Sequence, residues 1–425
     1  MTRALCTAVA VLATLLLASP ASARWHVQRV GGHSSGYEDV ALAGNARGDS
    51  AVAFDKGGEI ALAIAHRGHR FGRAHRVPGS AAGSAPNVAI DEQGNVLVLW
   101  NYFDGFEEED FESRDGPCCN GTKATVRYAH GRHFRHVQPL TPPGHEVTAE
   151  AWAIERGRVG VAWSELGRLR ARFAARGRPL GRTVNARGEA TGLGVSLAHG
   201  ARRVTYALYG AHATSIREFH VRAGRAVGRR TLARGLPEGA YVAMATNARG
   251  DQAVAWQPGD YVHPIAVHLA VRGRGGRFHS RVVSHDGPVD SAPVVAIGRS
   301  GAAVAAWPTP RGKLLVSSRR PGGRFGVARR FDRNARGTFV LGVEVAVDAF
   351  GRSVIGWTQH RPDRVARFFG AFRSPSGTRS RARAFGSAYD VGTQRSAAID
   401  AFGRARLVWR APSGVKVARA PYTGP

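Results

Sequence analysis

Cysteine is scarce and long apolar runs are scarcer. Of three cysteines, Cys6 falls in an N-terminal segment, which leaves only Cys118 and Cys119, side by side. Adjacent cysteines lack the C-x-x-C spacing of a zinc or redox site, so neither is inferred. No stretch after residue 24 holds a 3.6-residue apolar period for three turns, which excludes a helical solenoid. No later stretch is apolar enough to span a bilayer. There is no G-x-S-x-G elbow, no H-E-x-x-H and no phosphate-binding loop, so the familiar hydrolase, metalloprotease and nucleotide signatures are missing. Carboxylates number 31 against 60 basic residues, and only Lys56, Lys123, Lys313 and Lys416 are lysines. The arginine excess reads as GC-rich coding as much as a binding adaptation. Even so, the net charge of +29 should attract anionic polymers, with strong salt dependence, and a polysaccharide or other anionic polymer is the expected partner, with no specific nucleic-acid motif present.

What is abundant is repetition. The segment Val88–Trp100, VAIDEQGNVLVLW, returns as Val345–Trp357, Ala397–Trp409, Val295–Trp307 and Met244–Trp256, with looser copies ending at Phe54, Trp163 and Tyr209. The closing aromatics stand 46, 63, 46, 47, 51, 50 and 52 residues apart, a period near fifty that marks a repeat architecture. Each copy is an apolar run, a turn and a second apolar run. Asn45, Asp91, Asn247, Asp348 and Asp400 open the turn, and Gly48, Gly94, Gly157, Gly250, Gly301, Gly351 and Gly403 close it. An Asx side chain bonds backbone two residues on, and glycine takes the positive φ that turns a type I turn into a hairpin. The nearly unbroken apolar flanks predict strands covered on both faces.

A second hairpin follows each first one, as in Ile60–Val77, Ala266–Val283 and Leu314–Phe331, where apolar residues alternate with Arg and His. Alternation predicts strands with one wet face. Four strands per repeat, apolar inside and basic outside, predict an all-β chain folded as a single β-propeller of eight blades. Seven blades is the alternative, because the copy at Leu197–Tyr209 lacks the turn Asx and Gly. Trp25–Val30 is a strand without a partner and Val415–Ala420 ends a blade one strand short, so the N-terminal strand is expected to close the last blade. Closure removes exposed edges, and a monomer is expected.

Residues 1–23 carry Arg3, an apolar run from Ala4 to Ala18 and the small-residue site Ala21-Ser22-Ala23, the pattern of a secretory signal peptide. The propeller domain is expected to cover 24–425, the protein to be secreted or associated with the cell envelope. One acidic insertion, 101–123, holds Asp104, Glu107, Glu108, Glu109, Asp110, Glu112 and Asp115 with the two cysteines. Its order departs from an EF-hand, and calcium is the one cofactor it leaves open. Cys118 and Cys119 could form a vicinal disulfide, stay as thiols or bridge to another chain. His130, His133 and His136 fall across a strand, turn and strand rather than one helix face, so a metal site is not implied. Six of the inter-blade joints carry acids just before the inner strand: Glu38 with Asp39, Glu146, Glu189, Glu238, Asp290 and Asp390. These are the candidate ligand-binding residues, and they predict an acidic channel mouth that would take a cation or the hydroxyls of a polar ligand.

In pairing Asp, Gly and Trp in one β-turn, the repeat resembles the Asp-box of sialidase-like propellers, though Asp91 to Gly94 and Gly94 to Trp100 are longer than that motif and the turn joins inner strands. The resemblance implies a secreted bacterial propeller and transfers no catalytic residue. The leading expectation is a non-catalytic propeller that binds a carbohydrate, an envelope component or another polymer at its channel face. The alternative is a carbohydrate-active enzyme, a glycosidase or lyase of sialidase-like kind.

Overall fold

The computed structural model describes residues 24–32, 39–103, 120–128, 133–142, 147–165, 167–187, 190–200, 202–208, 214–236, 241–257, 266–274, 276–286, 293–332, 338–361, 364–388 and 396–422. The strands fall into eight antiparallel four-stranded sheets, the blades of an eight-bladed β-propeller. Blade 1 is Val40–Gly44, Ser50–Asp55, Ile60–Ala65 and His75–Arg76. Blade 2 starts with Gly83–Ile90, blade 3 with Val147–Glu155, blade 4 with Ala190–Ser196 and blade 5 with Tyr241–Thr246. Blade 6 starts with Val294–Ile297, blade 7 with Phe339–Val347 and blade 8 with Ser396–Ile399. In seven blades the chain supplies all four strands consecutively. In blade 8 the fourth is the N-terminal His26–Arg29, which pairs with Gly414–Pro421 from His26 opposite Arg419 to Arg29 opposite Lys416.

Packing explains why the repeat must be read around a ring. Eight apolar clusters are found among the described residues, and each lies between two neighbouring blades. The closing aromatics are their largest members: Trp100, Trp163, Trp307, Trp357 and Trp409 are fully buried, with Phe54 in the same place in blade 1. No blade covers its own faces, so each repeat is stable only against the next. Second strands such as Ser50–Asp55 and Gln252–Gln257 are covered on both faces, as the apolar runs predict. First strands are not: all four residues of Val294–Ile297 are half-buried, because one side of the innermost strand looks into the channel.

The turns follow the predicted pattern with two departures. All seven turn glycines sit at φ between 72° and 96°, and Gly94 N–H donates to Asp91 O at 2.9 Å. In blade 3, Glu155 pairs directly with Arg158, so Arg156 (φ 51°) and Gly157 (φ 72°) are the two central residues of a tighter turn. Two successive positive φ values make it a type I′ turn, not type I. In blade 4 a 3-10 turn at Ala198–Gly200 replaces the Asx turn, which is why that copy lacks the sequence signature yet still forms a blade. At the two ends of the acidic insertion, Asn101–Phe103 and Asn120–Thr122 pair and continue the ladder of the blade. Residues 104–119, with Cys118 and Cys119 and all seven carboxylates, lie outside the described residues. Residues 1–23 do as well. No helix among the described residues is long and apolar enough to cross a membrane.

Candidate functional site

In a four-stranded meander the first–second and third–fourth turns share one face, and the joints between blades share the other. The acidic residues expected at the mouth belong to the joint face. Of these, Glu38, Glu146, Glu189, Glu238, Asp290 and Asp390 lie outside the described residues, as does His130. Asp39 is described: it stands half-buried at the start of blade 1, where its carbonyl accepts the Asp55 N–H at 3.2 Å. His133 and His136 are exposed, and no group of three or more metal-ligating side chains occurs among the described residues.

A cavity among the described residues opens on the turn face. It holds about 1220 Å³ and is lined by the inner turns of all eight blades. Below it the channel narrows to a throat of about 380 Å³ walled by Ala, Val, Ile and Gly side chains of the inner strands. The vestibule is built by the same Asx residues that make the turns. Asp91 Oδ1 accepts the N–H groups of Gln93 and Asn95 at 3.0 and 2.9 Å, which fixes its own turn. Its second oxygen accepts the Gly157 N–H of the next blade at 2.6 Å. Asn45 repeats the device, capping Gly48 and Asp49 and donating through Nδ2 to Asp91 O at 2.8 Å. Asn247 does so toward Gly298 O at 2.9 Å.

Blades 7 and 8 use an intermediary. Asp348 and Asp400 hold the Nε of Arg352 and Arg404, and Arg352 Nη2 donates to Ala401 O at 2.9 Å across the interface. The turns are therefore laced from blade to blade around the mouth. Blade 6 has Gly298 where others have Asx, and a Cβ there would stand 2.1 Å from the Asp348 carbonyl oxygen, so only glycine fits.

Electrostatics divides the vestibule wall. The carboxylates of Asp91, Asp348, Glu155 and Asp251 line it, but each already has partners: Glu155 pairs with Arg158 at 2.9 Å, and Asp251 accepts from Asn247 Nδ2 and the Arg274 N–H at 3.0 Å each. Arginines line the same wall from blades 3, 5 and 6. One acid of different character lies deeper. Glu150, on the inner strand of blade 3, lines a side cavity of about 370 Å³ and accepts Thr122 Oγ1 at 2.8 Å. Burial pushes its carboxyl above the usual carboxylate value, with the Thr122 hydrogen bond opposing. Neither Glu150 nor the arginine arc stands out in the sequence. Glu150 sits within an apolar strand, and its setting depends on Thr122 of the neighbouring blade.

No protein-family model matches the chain, and no curated protein is similar to it in sequence. Among solved structures the fold is similar to the BP39L lectin of Burkholderia pseudomallei, at 13% identity and a TM-score of 0.53, covering 83% of this chain and 100% of that one. It is similar as well to the Dos1 propeller, at 8% identity and a TM-score of 0.54, with 94% of each chain covered. At such identities the likeness is one of fold.

Proposed function

We propose that the protein is an exported, non-catalytic propeller that binds a carbohydrate in the turn-face vestibule. The observation that supports this most is the vestibule itself, an open cavity of about 1220 Å³ with guanidinium and carboxylate groups above an apolar throat. Planar charged groups hold sugar hydroxyls in pairs, and apolar walls cover the C–H faces of a ring. Export rests on residues 1–23, whose pattern is that of a cleaved leader. The lectin of similar fold illustrates that a propeller can carry a sugar site and goes no further.

The test is a glycan array probed with residues 24–425 and with Ala248→Trp, which fills the mouth from a turn that bears no structural side chain there. Retention of one glycan class by the wild type, lost in a variant of unchanged melting temperature, is the expected result. No retained glycan, or retention indifferent to the tryptophan, ends the reading. A second reading, a glycosidase, has Glu150 in its favour, since burial in a cavity raises its carboxyl pKa, the direction a general acid requires. Hydrolysis of a chromogenic glycoside that disappears in Glu150→Gln would replace the first reading with the second.

A further inference from the structure

We infer that the ligand of this vestibule is an anionic glycan, its carboxylate or phosphate groups gripped by Arg156, Arg176, Arg249, Arg274 and Arg299. The inference rests on the carbohydrate reading above and adds the ligand's charge and the arc of the ring that recognises it.

All five line the one cavity. Among the described residues none of their guanidinium groups makes a hydrogen bond or ion pair, whereas Arg158 on the same wall is tied to Glu155 and to Leu197 O. The carboxylates that could answer them are already engaged. Asp91 accepts from Gln93, Asn95 and Gly157, Asp348 from Phe350 and Arg352, and Glu92 Oε1 accepts the Ala46 N–H at 3.2 Å. A wall that nearly balances acids against bases by count therefore presents mainly donors.

Placement points the same way. Arg176 and Arg274 each stand two residues beyond the third strand of their blades, Arg168–Ala174 and Val267–Arg272. Both fold inward over the inner turn: a Cβ on Gly157 would meet Arg176 Cγ at 2.8 Å, and one on Gly250 would meet Arg274 Cγ at 4.0 Å. Two repeats thus bring an outer-turn arginine into the cavity. The opposite arc, blades 7, 8 and 1, offers Ala349, Ala401 and Ala46 to the same space, and its own Arg352 and Arg404 are held by Asp348 and Asp400. One arc is cationic and uncommitted while the other is neutral. Five like charges around one cavity repel one another, and an anionic chain laid along that arc relieves the repulsion through bidentate, charge-assisted hydrogen bonds. The net charge of +29 gathers such chains at long range, but only the arc offers directed donors.

The experiment titrates residues 24–425 with polygalacturonate, with a teichoic-type phosphorylated glycan, with dextran as the neutral control and with duplex DNA as competitor. Two triple variants carry the same change in charge: Arg249→Gln with Arg274→Gln and Arg299→Gln in the vestibule, and Arg76→Gln with Arg329→Gln and Arg330→Gln on outer strands. The expected result is binding of an anionic glycan that weakens at least about tenfold in the vestibule triple and less than about twofold in the outer triple. Whether the carboxylated or the phosphorylated probe binds better identifies the anion. Equal losses in both triples mean attraction by bulk charge and overturn the inference. Dextran binding that Ala248→Trp abolishes and the vestibule triple leaves intact also overturns it, with the carbohydrate reading still standing. DNA outcompeting both glycans assigns the arc to nucleic acid, and no glycan binding at all ends both readings.

Discussion

Blades 4 and 5 meet across charge, and blades 7 and 8 meet across aromatic rings. Between blades 4 and 5, Arg272 and Glu218 form an ion pair in which both side chains are almost wholly buried. Arg272 Nε also donates to Gln252 Oε1 at 2.7 Å, Gln252 donates to Thr205 Oγ1 at 2.7 Å, and Arg203 Nε lies 3.6 Å from Glu218. Burial lowers the Arg272 pKa, with Glu218 opposing. Between blades 7 and 8, Trp409 stacks on Phe368 and Phe385 at centroid distances of 5.0 and 5.5 Å, and Trp25, just before the closing strand, stacks on Phe372 at 5.2 Å. The same architectural position is filled by two kinds of physics. Ring contacts lose stability roughly in proportion to what is removed. A buried ion pair fails asymmetrically, because removing either partner strands the other in a place without water.

Three measurements break or sharpen that contrast. Trp409→Ala, which opens a hole at a fully buried site, should cost about 3–5 kcal/mol by urea unfolding. A loss below about 1 kcal/mol would mean that the aromatic interface does not hold the last blade. Arg272→Ala should cost about 3 kcal/mol, at the low end for a broken buried pair because Arg203 remains near Glu218. Arg272→Met with Glu218→Leu should recover most of that loss, and a double variant as weak as the single would show that the pair itself stabilises.

Smaller effects belong to the turns and the channel. Gly351→Val should cost about 1–3 kcal/mol, since a β-branched residue is strained at φ 80° and its Cβ would press to 3.2 Å on Ala302 of the neighbouring blade. An unchanged urea midpoint would sink the turn assignment. Glu150 gives the smallest and most diagnostic signal. Its raised pKa means that the folded chain holds this proton more tightly than the unfolded chain. The contribution is present below the ordinary value of 4.5 and is lost as pH rises through the raised folded value. Melting temperature measured from about pH 4 to about pH 7 should fall for the wild type relative to Glu150→Gln. Parallel profiles would overturn the raised pKa of Glu150.

The sequence carries what is local and repeated. An Asx and a glycine three residues on determine a turn almost unaided, and Asn45, Asp91, Asn247, Asp348 and Asp400 behave as their type dictates. The unpartnered strand at each end of the chain made ring closure legible, and the register of His26 with Arg419 bears it out. The turn-face vestibule is not legible in the sequence. Acids at the blade joints stand out because acids are few, and they point to the opposite face, where all but Asp39 lie outside the described residues. The vestibule's arginines were hidden by abundance: Arg176 and Arg274 look like any of the outer-strand arginines until the fold tips them over Gly157 and Gly250. The turn of blade 3 reads as type I because Gly157 keeps its place in the frame, although Glu155 and Arg158 pair directly and shorten the loop around it.

The closing strand also decides how the ring responds to force. Residues 26 and 419 lie opposite each other, and the chain leaves both strands at the same end of the pair, beside the turn of blade 8 where the Tyr422 N–H meets Gly403 O. Tension between the two termini therefore acts at one end of a short antiparallel ladder and peels its bonds in sequence, instead of loading them together. A blade interior, gripped by neighbours on both sides, would be sheared only afterwards. The junction of first and last strand is therefore expected to yield first under load, while Ala398, Val408, Val415 and Val417 of blade 8 stay packed on blade 1.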